Sequence, residues 1–355
     1  MKKYYTTTEY KLRNERRIKD REYRRNRKGK PQPLSEETKE KIKINKVNEK
    51  LRINLIHLAE SLKRLNAPSN FSIVNNHKEV IDFFEDLKNK IWDGIPIKLD
   101  MAEIQSITID SVIYLLSVFD SFNMIGLSFH IQGNAPNKKE CKIILENSGF
   151  FEFVLSAYKN KKYDDNFLSI KNDNAVSSEI AKTVMQFIIK HLKKDRNNLK
   201  DLQRILIEMM NNTIEHAYSD SNKKASKWYL IAIYDKNENN IKFSFLDMGV
   251  GIPYSINKKH SEKVALLIDK LNPFGKIVDD SKLIASALDG EFRTRTMQKW
   301  RGNGLPTILK ASRENYIEDL MIYSNKGVVK ANKNDKICED TKSTFKGTLY
   351  SWKYI

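Results

Sequence analysis

Hydrophobic positions recur along this 355-residue chain with two periods, and the change from one to the other marks its elements. Leu51, Leu55, Leu58 and Leu62, with Ile56 and Leu65, form a helical stripe. It predicts a helix from a cap at Ser35, with Glu36 and Glu37 in the first turn, to about Leu65. From there to about Tyr158 strands alternate with helices. Helices are expected from Asn75 through Leu87 and over 109–122, strands over 95–99 and 127–131, and a turn at 133–136, followed by a segment from Lys139 to Leu145. Such alternation suits a small sheet with crossover connections. Residues 172–178 read as a linker or a strand edge. The remainder opens with amphipathic helices over 180–191 and 199–216, then strands over 228–234 and 241–246 that end at Asp247. Helices at 261–271, 283–288 and 305–312 and strands at 319–324 and 348–352 complete an α/β sandwich, with helices on one face of a mixed or antiparallel sheet.

A composition that is 40% hydrophobic lets most of the chain fold. Cys141 and Cys338 lie far apart and form no metal pattern, which predicts a reduced, cytoplasmic protein. No run approaches the roughly 20 apolar residues of a membrane span, and the basic N-terminus has no apolar stretch behind it to make a secretory signal. Of the net charge of +18, +10 falls in residues 1–50, which hold 18 Lys or Arg against 8 Asp or Glu. A segment so basic attracts phosphate backbones through counterion release, and Tyr4, Tyr5, Tyr10 and Tyr23 can stack on exposed bases. The plainer reading is a solubilising arm. The predicted order is a basic arm at 1–33, a helical connector at 34–69, a small α/β domain at 70–160, a linker at 161–177 and a second domain at 178–355.

Three segments of that second domain carry the candidate chemistry. Glu208 and Asn212 are four apart on a helix and share a side of it. A carboxylate there can polarise a water, and an amide oxygen can ligate Mg²⁺, a hard cation that prefers oxygen. Asp247 ends a strand and is followed by Gly249 and Gly251. A buried carboxylate needs a partner, and the exocyclic amine of adenine is one. Arg301, Gly302, Gly304 and Leu305 form a glycine turn entering a helix, where backbone N–H groups can face phosphate oxygens. Arg293, Arg295 and Lys299 add positive charge nearby. Each segment alone has a bland explanation: an exposed Glu–Asn pair, a generic turn, a charged loop.

Taken in order, the segments resemble the boxes of the GHKL ATPases, the Bergerat-fold group of gyrase B, the ninety-kilodalton heat-shock chaperone and the histidine kinases. The resemblance spans about 178–355, and the wording Asn212-Thr-Ile-Glu-His-Ala is closest to the anti-sigma-factor kinases. It implies a Bergerat-type α/β sandwich binding ATP and Mg²⁺, with Glu208 as general base and Asn212 as the metal ligand. It further implies nucleotide contacts from Asp247, Gly249, Gly251, Arg301, Gly302, Gly304 and Leu305, from Thr348 after Gly347 at adenine or its water, and a lid over about 252–301. Pro306 departs from the family pattern but is tolerated in a first helical turn. The earlier segment, with Leu99-Asp-Met-Ala, Ile109-Asp110-Ser111 and the Gly133…Pro136 turn, resembles a STAS domain, which implies Ser111, with Thr108 beside it, as a phosphoacceptor; the plain reading is that Ser111 helps start a helix.

Three functions follow. The favoured one is Mg²⁺-dependent ATP binding and hydrolysis that drives a conformational or dimerisation switch. The others are a serine/threonine kinase or anti-sigma-like regulator, and an ATP sensor without turnover. The partners left open are a second copy of the chain, DNA or RNA at the arm, and a protein at the STAS-like domain. His57 lacks the surroundings of a histidine-kinase phosphoacceptor and reads as a helix-surface residue, and His216 as structural or second to the site.

Overall fold

The computed structural model describes residues 10, 13–19, 35–155, 163–216, 227–271, 278–292, 304–314 and 316–355. The chain forms two units, Met1–Val47 and Asn48–Ile355. In the first, residues 13–19 are helical and exposed; the rest of the basic arm, Tyr10 apart, lies outside the described residues. Helix α1 (Glu36–Ile56) starts as expected, with Ser35 Oγ accepting the Thr38 N–H at 3.2 Å.

The helix expected to reach Leu65 stops nine residues early: a single turn at Leu58–Ser61 follows, and then strand β1 (Lys63–Asn66). Ser61 Oγ takes up the carbonyls of Asn54 and His57 at the break. β1 lies parallel to β3 (Ile97–Asp100), from Lys63 opposite Ile97 to Asn66 opposite Asp100. Between the two strands stand β2 (Asn70–Phe71) and α2 (Ile73–Trp92). After β3 come β4 (Ser106–Ile107), α3 (Ile109–Met124), β5 (Ile131–Gly133) and α4 (Lys139–Asn147). Strands β1, β3 and β5 make a parallel sheet in the order β1-β3-β5, and β2 pairs with β4. The expected strand at 127–131 is realised only from Ile131 onward.

The first turn of α2 is capped by its own Ser72 and by two side chains from the start of α3. Ser72 Oγ accepts from Asn75 N at 3.2 Å, Asp110 Oδ2 from Val74 N at 2.9 Å, and Ser111 Oγ from Ile73 N at 3.0 Å. Burial pushes the Asp110 carboxyl pKa up. Ser111 is itself fully buried, so the phosphoacceptor implied for it has no access to an enzyme; its hydroxyl serves a helix start.

The remaining elements are β6 (Phe167–Asp173), α5 (Ser178–Leu192), α6 (Lys200–His216), β7 (Trp228–Asp235), β8 (Asn240–Asp247), α7 (Ile252–Lys259), α8 (Ser261–Leu271), α9 (Asp280–Leu288), α10 (Gly304–Arg313), β9 (Ile317–Ala331) and β10 (Lys336–Tyr354). Five strands form one sheet in the order β6-β7-β8-β10-β9, antiparallel at every junction. The stretch expected to be a linker thus holds an edge strand, β6, paired with β7.

One sheet face carries Trp228, Leu230, Phe243, Phe245, Tyr350 and Trp352 and packs on α5, α6 and α10 through Val184, Ile205, Met209 and Ile308. The opposite face is covered too, against the expectation of helices on one face. There Tyr114 of α3 stacks on Phe345 at 4.6 Å, Phe345 on Tyr323 at 4.7 Å, and Phe84 of α2 meets Tyr114 edge-on. Asp120 of α3 accepts from Tyr229 Oη at 2.7 Å and pairs with Lys227. The sheet therefore lies between two helical layers in one mixed α/β unit.

Candidate functional site

Helix α6 buries Leu202, Ile205, Leu206, Met209 and Met210, which leaves Glu208 and Asn212 half-buried at the edge of that face. Against this edge sits the first residue of α10. A Cβ at Gly304 would lie 3.0 Å from Glu208 Cβ and 3.4 Å from Asn212 Nδ2. Only a residue without a side chain lets the helix start come this close. Two segments almost a hundred residues apart in sequence, the Glu–Asn pair and the glycine turn, thus meet directly.

The third segment arrives through the sheet. Asp247 is opposite Trp228 on β7 and opposite Thr348 on β10. Residues directly opposite in an antiparallel pair point to the same face, and residues two apart on a strand do so as well. Asp247 therefore shares the face of Phe243 and Phe245, and Thr348 that of Tyr350 and Trp352, which is the face covered by α6. Gly347 makes the pairing possible: its φ is +102°, and a Cβ there would collide with the Asp247 carbonyl oxygen.

Asp247 is 7% exposed, and its Oδ1 accepts the Gly249 N–H at 2.8 Å. Burial drives its pKa up to about 7, against the opposing pull of the Gly249 N–H and the Thr348 hydroxyl. Two donors are few for a buried carboxylate, which can accept about four hydrogen bonds. The following loop is held from both sides. Ser117 Oγ of α3 contacts Met248 Sδ at 3.3 Å, Asn325 Nδ2 donates to Val250 O at 3.1 Å, and Ser324 Oγ accepts from Ile252 N at 2.9 Å. Ile252 and Leu305 pack on one apolar cluster of Ile256, Val264, Val278, Leu283 and Ala287, which joins the start of α10 to α7, α8 and α9.

Glu208, Asn212, Gly304 and Leu305 are thus gathered at one edge, and Asp247, Gly249, Gly251 and Thr348 around one strand end, on the same side of the sheet. Arg301 and Gly302 lie outside the described residues, as do Arg293, Arg295 and Lys299. His57 is exposed. Among the described residues no three His, Cys, Asp or Glu side chains cluster as a metal site. Mg²⁺ bound through substrate phosphates and waters needs only one or two protein ligands, so Asn212 fits that use. Sequence reasoning missed Trp228, Ser324 and Asn325; Trp228 donates Nε1–H to Ala175 O at 2.9 Å and flanks Asp247. Their signal lies in strand pairing, which no local motif expresses. No protein-family model matches the chain, and no curated protein matches it. No helix among the described residues is long and apolar enough to cross a membrane.

Proposed function

We propose that this site binds ATP with Mg²⁺ and hydrolyses it, and that the nucleotide state controls a conformational or dimerisation switch. The observation that carries the reading is the buried carboxylate of Asp247, held by the Gly249 N–H and Thr348 and raised in pKa by burial, on the same sheet face as the helix that carries Glu208 and Asn212. In this account Asp247 accepts the exocyclic amine of adenine, beside Thr348. Gly249 admits the nucleotide close to the backbone, and Gly251, at φ +88° with Asn325 and Ser324 packed where a side chain would stand, shapes the loop behind it. The first turn of α10, brought against Glu208 and Asn212 by Gly304, supplies N–H groups and the positive helix end to phosphate. Mg²⁺, when bound, neutralises phosphate charge; Asn212 contributes its amide oxygen to it and Glu208 orients the attacking water.

A kinase acting on its own Ser111 is disfavoured by the burial of that residue. A sensor without turnover differs from the ATPase only in whether Glu208 activates water. Phosphate release by the purified protein with Mg²⁺ tests the choice. Glu208→Ala is expected to abolish release and keep ATP binding; equal release by that variant removes Glu208 from the role. The basic arm, with +10 of net charge in residues 1–50, is proposed to meet a nucleic acid. Its binding should weaken steeply with salt and vanish when residues 1–33 are removed.

A further inference from the structure

Ser324 belongs to none of the segments discussed so far, yet it touches three of their consequences. It is fully buried at the bulged part of the β9–β10 pairing. Its Oγ donates to Gly347 O at 2.9 Å, accepts from Ile252 N at 2.9 Å, and lies 3.1 Å from Thr348 Oγ1. A hydroxyl has one hydrogen and two lone pairs. The hydrogen is engaged by Gly347 O and one lone pair by Ile252, so toward Thr348 only an acceptor remains. Thr348 also has one hydrogen, and two acceptors compete for it: Ser324 Oγ and the Asp247 carboxylate. What occupies Asp247 therefore decides which way the Thr348 hydroxyl turns. Ile252 is the first residue of α7, and the neighbouring Asn325, at φ +53°, holds Val250 O. Ser324 and Asn325 together fasten the chain where it leaves the glycine loop and enters α7.

We propose that Ser324 is a positioning residue that links the base end of the site to helix α7: it sets the Thr348 hydroxyl relative to Asp247 and pins the first amide of α7. This rests on the nucleotide reading above. When adenine engages Asp247, the Thr348 hydrogen passes to Ser324, whose oxygen then accepts from both Thr348 and Ile252; the bond it donates to Gly347 O strengthens, and the bond from the Ile252 N–H weakens because two donors share one acceptor. Occupancy at the base is then felt at α7 with no direct contact between the two.

The test is hydrogen exchange over residues 252–259 with and without ATP, joined to affinities for ATP and for the triphosphate of purine riboside, which lacks the exocyclic amine. In the wild type, ATP should speed exchange at the start of 252–259. Ser324→Ala should lose that response, bind ATP ~3–10-fold more weakly, as the loss of one hydrogen bond implies, and discriminate less between the two nucleotides. Asn325→Ala, which cuts only the tie to Val250, should loosen the segment and keep the discrimination. Should Ser324→Ala not fold, Thr348→Val severs the same link from its other end and carries the same expectation for 252–259. A full ATP-induced exchange response and unchanged discrimination in Ser324→Ala, or in Thr348→Val, would overturn the link while leaving ATP binding intact. Absence of ATP binding by the wild type would overturn the nucleotide reading, and the link with it.

Discussion

Asp247 is the residue on which most depends. Its folded-state pKa of about 7 lies above the ordinary carboxylate value, so between about pH 4 and 7 the folded chain holds a proton that the unfolded chain has lost. Stability from this group therefore falls as pH rises through that window and is level above it. Thermal unfolding of Asp247→Asn should show a flatter profile between pH 4 and 7 than the wild type. For a ligand that donates to the carboxylate the sign reverses: ATP affinity should weaken as pH falls from about 8 to about 6, because the ionised form is the stronger acceptor and protonation removes part of that capacity. Equilibrium binding across pH checks this, and a pH-independent affinity contradicts it. Gly304 gives a second prediction at this scale. Gly304→Ala places a methyl 3.0 Å from Glu208 Cβ, so Glu208 or α10 must shift. The contact requires a shift of a few tenths of an ångström, so turnover should fall by a few-fold, while unfolding shifts by about 1–3 kcal/mol. Glu208, Asn212, Asp247 and Gly304 stand out in the sequence by side-chain type and spacing, and Thr348 only through the family resemblance. Ser324 and Trp228 do not stand out, because their roles arise only from which strands become neighbours.

Among the elements, α3 departs most from a surface helix. It is apolar almost all round from Ile109 to Phe119, and such a helix is buried between layers. One side meets α2 through Phe84; the other meets the five-stranded sheet through Tyr114, Ser117 and Asp120. Asp120 and Lys227 are each 24% exposed, so removing the carboxylate strands a half-buried ammonium and the Tyr229 hydroxyl together. Asp120→Ala should destabilise the chain by about 1–3 kcal/mol in denaturant unfolding, and Lys227→Met in the same background should recover part of the loss. The sequence carried a sign of this layer. β7 is apolar at six successive positions from Trp228 to Ile233, whereas a strand with one wet face alternates. The leucine stripe misled for the opposite reason: Leu65 satisfies a helical period, yet sheet pairing with β3 decides its backbone. β6 was hidden because Phe167–Asp173 pairs only at an edge, with an irregular register.

At the scale of the molecule, residues 48–355 form one compact unit. The sheet face beneath α3 holds Tyr229, Ile231, Leu246, Tyr323, Phe345 and Leu349, all buried. A fragment of residues 163–355 would expose them and should aggregate, whereas 48–355 should unfold in one cooperative step; scattering and calorimetry distinguish these outcomes. The same architecture ties α3 to the loop after β8, because Ser117 of α3 touches Met248 inside it. The measurement that bears most directly on the whole account is ATP binding and phosphate release with Mg²⁺, for the wild type, Glu208→Ala and Asp247→Ala. The account predicts that release disappears in both variants and that binding disappears only in Asp247→Ala. Binding of ATP by Asp247→Ala with wild-type affinity would contradict it.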